Sequence, residues 1–292
     1  MKEKIAPFLI LLAGVLWGSM GIFVHTLNKL GIAAINIVAI RSVITVIFTA
    51  ILLVLLKPEL LKVKIRDLWC FLGTGLLSIV FFNYCYFSAI EISSMAVAAV
   101  LLYSAPAFVM VFSWFLFKEK LTVNKWISLI FVIVGCILVT GIAGDHGALS
   151  IKAVFLGLGA GLGYALYSIF GRFALEKGYH SLTILLYTFL FATVGILPLA
   201  DFPKIYSVVT GSWGNCVLIL VFGLFSTLIP YFSYTAGLSC VENGKASVIA
   251  AIEPVVAALL GTALYKESLT FWNVTGMILV LLSIVLANKK TK

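Results

Sequence analysis

Residues 98–122 read AAVLLYSAPAFVMVFSWFLFKEKLT, and residues 246–270 read ASVIAAIEPVVAALLGTALYKESLT. Laid over each other at an offset of 148 residues, Ala98 falls on Ala246 and Pro106 on Pro254. The run Leu116, Lys118, Glu119, Leu121, Thr122 then falls on Leu264, Lys266, Glu267, Leu269, Thr270. The register holds without a gap over 81–139 against 229–287, where Tyr86 meets Tyr234. The openings match at an offset of 147: Phe8, Gly14 and Phe23 fall on Phe155, Gly161 and Phe170, and Trp17 on Tyr164. Such self-similarity fixes an architecture early. The chain is written twice, with one copy in 1–147 and the other in 148–292.

Each copy is too apolar for water. Of 292 residues, 63% are hydrophobic and 11% charged, with a mean hydropathy of +1.18. Soluble domains carry about 45–50% apolar and about 25% charged residues, and a globular core cannot hide this much apolar surface. A soluble enzyme, a disordered chain and a secreted disulfide scaffold are all disfavoured. A spanning helix needs about 20 mostly apolar residues. Ten candidates follow: Pro7–Leu27, Gly31–Leu56, Leu68–Ile90, Ala96–Phe117, Val123–Ile142, Ala153–Leu175, Leu182–Leu199, Asn215–Leu238, Lys245–Tyr265 and Phe271–Ala287. Runs such as Ile51–Leu56 are apolar on every side, which fits helices and not the alternation of a membrane barrel. The first span lacks a small-residue cleavage site and nine spans follow it, so it reads as retained. The expected fold is an all-α integral membrane protein.

Five spans per copy is an odd number, so the second copy enters the membrane from the opposite side. The two five-helix repeats are inverted, and inverted repeats are a common way to build a carrier with a midplane site. Lys and Arg set the orientation. With the N-terminus in the cytoplasm, fifteen of the 20 lie on the inner side and four on the outer. The inner face then holds the entire net charge of +9, so the basic balance points to orientation and not to a nucleic-acid partner. Both termini are expected to be cytoplasmic, in the cell membrane.

Two charges remain inside the spans, Arg41 and Glu253, each near the midplane. Intramembrane ionisable residues are costly and are functional candidates by default. Either they bind solute or a coupling ion, or they pair with each other or with backbone carbonyls. Pro106 and Pro254 interrupt matching spans and free the carbonyls of Leu102 and Ala250, a pointer to a carrier's binding region. Tyr103 shares the Pro106 face. Tyr164 and Tyr167 in the sixth span and Trp17 in the first are further cavity candidates, as are Asn83 and Tyr86 in the third. Gly14, Gly21, Gly157 and Gly161 suit close helix packing. Glu119 and Glu267 fit a solvated span end or the start of the following helix, where negative charge is favoured. His25, His146 and His180 receive no role. Cys70, Cys85, Cys136, Cys216 and Cys240 have no metal-ligand spacing, and neither a metal nor another cofactor is implied.

Ten spans in two inverted halves resemble the drug/metabolite transporter superfamily, and its EamA family in particular. Local features agree: the Trp17-Gly18-Ser19 turn, Arg41, Pro106, Glu253-Pro254 and the endings Lys118-Glu119 and Lys266-Glu267. The resemblance implies a secondary carrier of amino acids, other metabolites or drugs, often an exporter. It also implies a cavity lined by helices 1, 3, 4, 6, 8 and 9, with helices 5 and 10 peripheral. The partners expected are a small-molecule solute, the lipid bilayer, and a coupling proton or exchanged solute. The oligomeric state is not fixed by the sequence. An intramembrane enzyme would need paired Asp residues, a Ser–His pair or a His/Glu cluster within the spans, and a receptor would usually bring a soluble domain. The sequence offers neither.

Overall fold

The computed structural model describes residues 2–140, 150–266 and 268–289, and among these every regular element is a helix. Among the described residues, nine helices are long and apolar enough to cross a membrane: α1 (Lys4–Lys29), α2 (Ala34–Leu56), α3 (Ile65–Ile92), α4 (Val97–Phe117), α6 (Ile151–Glu176), α7 (Ser181–Leu199), α8 (Trp213–Leu238), α9 (Asn243–Tyr265) and α10 (Phe271–Asn288). α5 (Val123–Val139) is a shorter apolar helix that completes the ten. The boundary expected at 147/148, His146 and Glu267 lie outside the described residues.

Helices α5 and α10 pack on each other along their lengths. Their small residues set the approach. A Cβ on Gly135 would lie 2.9 Å from the Gly276 carbonyl oxygen, and one on Gly276 would lie 2.6 Å from the Gly135 carbonyl oxygen. Ser128 and Ser283, the repeat counterparts of Gly276 and Gly135, are fully buried on the same two helices. Small residues at such a crossing let backbones dock, the usual source of cohesion in lipid. The outer faces carry exposed Trp126, Ile130, Ile278 and Val285, which suits the lipid side of the bundle.

The helices are broken where the sequence repeats. α4 is interrupted at Tyr103 and Ser104 and α9 at Ala251 and Ile252, in each case just before the proline. Both interrupted helices end in the left-handed conformation, at Lys118 and Lys266, each with φ 57°. α3 and α8 each contain a π-helical stretch, Gly73–Val80 and Leu224–Leu228, again at corresponding places in the two repeats. The hydropathy pattern gives no sign of these wide turns, because an added residue leaves the run apolar.

One further helix was read as a link. Phe202–Gly211 forms between α7 and α8, started by Asp201, whose side chain accepts the Lys204 N–H, and by Pro203 in its first turn. Its Val208 and Ile205 pack on a cluster that includes Leu27 and Ile32.

Candidate functional site

The broken turns are held by glycines from the other repeat. A Cβ on Gly14 of α1 would lie 2.8 Å from the Ala250 carbonyl oxygen, at the break in α9. A Cβ on Gly161 of α6, its counterpart, would lie 3.1 Å from the Leu101 carbonyl oxygen and 3.2 Å from that of Leu102, at the break in α4. Ser104 donates a hydrogen bond to the same Leu101 carbonyl at 2.6 Å. Each half therefore contributes the helix that closes on the other half's interruption.

Two cavities open between the halves beside these breaks. The first is narrow and is walled by Trp17, Ser78, Ile79, Phe82, Tyr164, Tyr167, Ser168, Tyr231 and Tyr234. The second, equally narrow, is walled by Leu102, Tyr103, Ala105, Pro106, Tyr164, Ser247, Ala250, Ala251 and Glu253. Tyr164 stands between them as a common wall. The linings draw on α1, α3, α4, α6, α8 and α9, the six helices that the resemblance pointed to.

Aromatic rings shape the first cavity. Trp17 meets Tyr231 edge-on at 5.1 Å, Tyr234 at 5.5 Å and Tyr164 at 6.1 Å between ring centres. Tyr231 is also met edge-on by Tyr167 and Phe189, both at 5.0 Å. Offset and edge-to-face pairs of this kind fix ring orientation. Two hydroxyls are tied off: Tyr167 with Thr235 at 2.7 Å and Tyr234 with Ser168 at 2.7 Å. The hydroxyls of Tyr164 and Tyr231 have no hydrogen-bond partner among the described residues. Tyr231 and Tyr234 join the candidates expected from the sequence. Tyr231 is the repeat counterpart of Asn83, and Tyr234 that of Tyr86, a signal in the sequence that marks both positions.

The two buried charges are placed differently. Glu253 opens the second segment of α9 and lines the second cavity. No basic group lies within ion-pair distance of it among the described residues. Tyr103 from α4 and Tyr164 from α6 share that cavity's wall with it, and Tyr86 from α3, Cys136 from α5 and Tyr231 from α8 lie within electrostatic range. Arg41 is 4% exposed and lies off both cavity walls. Its Nη2 donates to Asn83 Oδ1 at 3.3 Å and its Nη1 to the Met20 sulfur at 3.4 Å, while its Nε has no partner. Asn83 in turn donates to the Ile79 carbonyl at 2.7 Å, which fixes its amide. Arg41 and Glu253 do not pair with each other, although Tyr231 lies in electrostatic range of both. Trp17, Tyr103, Tyr164, Tyr167, Pro106 and Glu253 thus converge on the cavities. Tyr86 stacks behind them on Phe82 at 5.6 Å, and Pro254 sits in the first turn after the break and is in neither wall.

Comparison with known proteins agrees with this architecture. The chain is 28% identical over 261 residues to an uncharacterized transporter of Archaeoglobus fulgidus, covering 89% of this chain and 90% of that one. It is 24% identical over 285 residues to the uncharacterized transporter YxxF of Bacillus subtilis, covering 96% and 88%. A solved crystal structure, 15% identical, shares the fold with a TM-score of 0.79 over 98% of this chain and 96% of the other. The model of the EamA-like transporter family matches twice, at residues 4–141 and 151–289. With a match running through both halves, the chain belongs to the EamA-like transporter family.

Proposed function

We propose that this membrane transporter is a secondary carrier for a small organic solute bearing an amine and a carboxylate, an amino acid or related metabolite. In this reading the halves 1–147 and 148–292 exchange conformations to expose the cavities to either side of the cell membrane in turn. Both termini are cytoplasmic, and the direction is export. The observation that carries the proposal is Glu253, an acidic residue lining an apolar cavity with no cation within 4.0 Å among the described residues. An unpaired charge in hydrocarbon is costly, and an ammonium group from the solute would relieve that cost. Arg41, held by Asn83 within electrostatic range of Tyr231 and with an Nε unpartnered among the described residues, supplies positive potential for a carboxylate. The same carboxylate suits a proton carrier, which favours a coupling proton over solute exchange alone.

The test is flux in proteoliposomes after a thermal-shift screen of amino acids, amines and drugs has picked a solute. Glu253→Gln should abolish uptake driven by a pH gradient while leaving the fold intact. Arg41→Gln should weaken binding of the carboxylate-bearing solute more than that of its decarboxylated amine. Unchanged flux in both variants would sink the reading.

A further inference from the structure

Glu119 was expected at a solvated span end or against the start of α5. It meets Lys125 in the first turn of α5, and it also reaches across the molecule to the other repeat. Its side chain is 9% exposed, and Oε1 accepts the Asn243 N–H at 2.7 Å while Oε2 accepts the Gly244 N–H at 3.2 Å. These are the first two residues of α9, which belongs to the other repeat. The position suits an anion, because the first turn of a helix carries unpaired N–H groups and the positive end of the dipole. The residue in α9's own capping place, Glu242, makes no side-chain cap. Lys125 joins the contact, with Nζ 3.5 Å from Glu119 Oε2 and 2.7 Å from Glu242 Oε2. Arg172 completes it from α6, donating to Asn243 Oδ1 at 2.9 Å and to the Val241 carbonyl. The start of α4, the counterpart of α9 at the opposite face, is built otherwise: its Val97 N–H is capped from within by Ser94.

Ser247 lies one turn beyond Gly244 and is already on the wall of the Glu253 cavity. Met110 of α4 packs on Gly244 from the same side as Glu119. The capped turn is therefore the material between that cavity and the lysine-rich face. From this we infer that Glu119 is a positioning residue whose grip on α9 closes the solute's route at the lysine-rich face, and that the grip must release for the cavity to open there. The inference takes from the carrier reading only that the Glu253 cavity is on the route. It can fail while the Glu253 and Arg41 flux test succeeds.

Closure can be read without knowing the solute. Ser247→Cys protein is placed in sealed vesicles and exposed to a membrane-impermeant maleimide on the lysine-rich side, with each cysteine followed by peptide mass spectrometry. Native Cys240 is exposed at the turn leading into α9 and reports that the reagent has reached that side. Native Cys70 and Cys136 are buried and report unfolding. With Glu119 intact, the introduced thiol should stay protected. Adding Glu119→Gln should raise its labelling rate by about tenfold, since a charge-assisted contact at a helix start is lost. Glu119→Asp, which keeps the charge, should restore protection in part, and Lys125→Ala should act as Glu119→Gln does but more weakly. If Glu119→Gln also exposes Cys70 or Cys136, Lys125→Ala decides by the same measure. Protection of the introduced thiol in the deciding variant, equal to that with Glu119 and Lys125 intact, overturns the inference.

Discussion

At the scale of single residues, glycine placement separates two roles that look identical in the sequence. Gly161 touches the broken turn of α4, whereas a Cβ on Gly21 would meet nothing within 4 Å. Gly161→Val should therefore lower stability by about 1–3 kcal/mol through overpacking, read as an earlier melting transition in detergent. Gly21→Ala should stay within about 0.5 kcal/mol of the parent. The repeat made Gly14 and Gly161 visible as a pair, but not what each touches, because contact runs between halves. Arg41 illustrates the same boundary. Its depth was legible from hydropathy. Its partner Asn83 was noted as a candidate but not as the group that holds it, since helix rotation decides which of many facing residues is met.

At the scale of elements, the interruptions were the most readable feature and the wide turns the least. Proline removes an N–H and marks its own break, so α4 and α9 divide beside Pro106 and Pro254 as the carbonyl accounting required. No residue type announces the π-helical stretch of α3, whereas that of α8 lies just before Pro230, whose missing N–H would have met the Ser226 carbonyl. The short helix Phe202–Gly211 could have been read from Asp201 and Pro203, both good starters. The paired left-handed ends at Lys118 and Lys266 yield a prediction. A non-glycine residue there bears a steric cost, so Lys118→Gly should raise stability by about 0.5–1 kcal/mol and Lys118→Val should lower it, as measured by denaturant or thermal melts.

At the scale of the whole molecule, the halves are tied at the lysine-rich face by a second contact beside that of Glu119. Lys177 Nζ lies 2.7 Å from Asp67 Oδ1, Tyr179 donates to Asp67 Oδ2 at 2.8 Å, and the Lys64 N–H donates to the Tyr179 hydroxyl at 3.1 Å. Thr183 and Tyr187 donate to the carbonyls of Leu60 and Leu61 in the same loop. The hydrogen bond to Asp67 holds the Lys177 ammonium above its ordinary range. A group whose folded value is raised stabilises fully below its unfolded value and loses that contribution as pH rises through the folded one. Melting temperature should thus fall on going above about pH 10.5, and Lys177→Met should lower the neutral plateau and flatten that alkaline slope. Charge segregation along the sequence revealed the face but not this tie, because both partners read as ordinary solvated loop residues. The crossed glycines carry a different consequence, one for biogenesis. The α4 break is covered by Gly161, which the ribosome makes after all of the first five helices. Until α6 is inserted, those helices wait in the bilayer with an unsheltered turn. Severed halves should accordingly be degraded when made singly and persist when co-expressed.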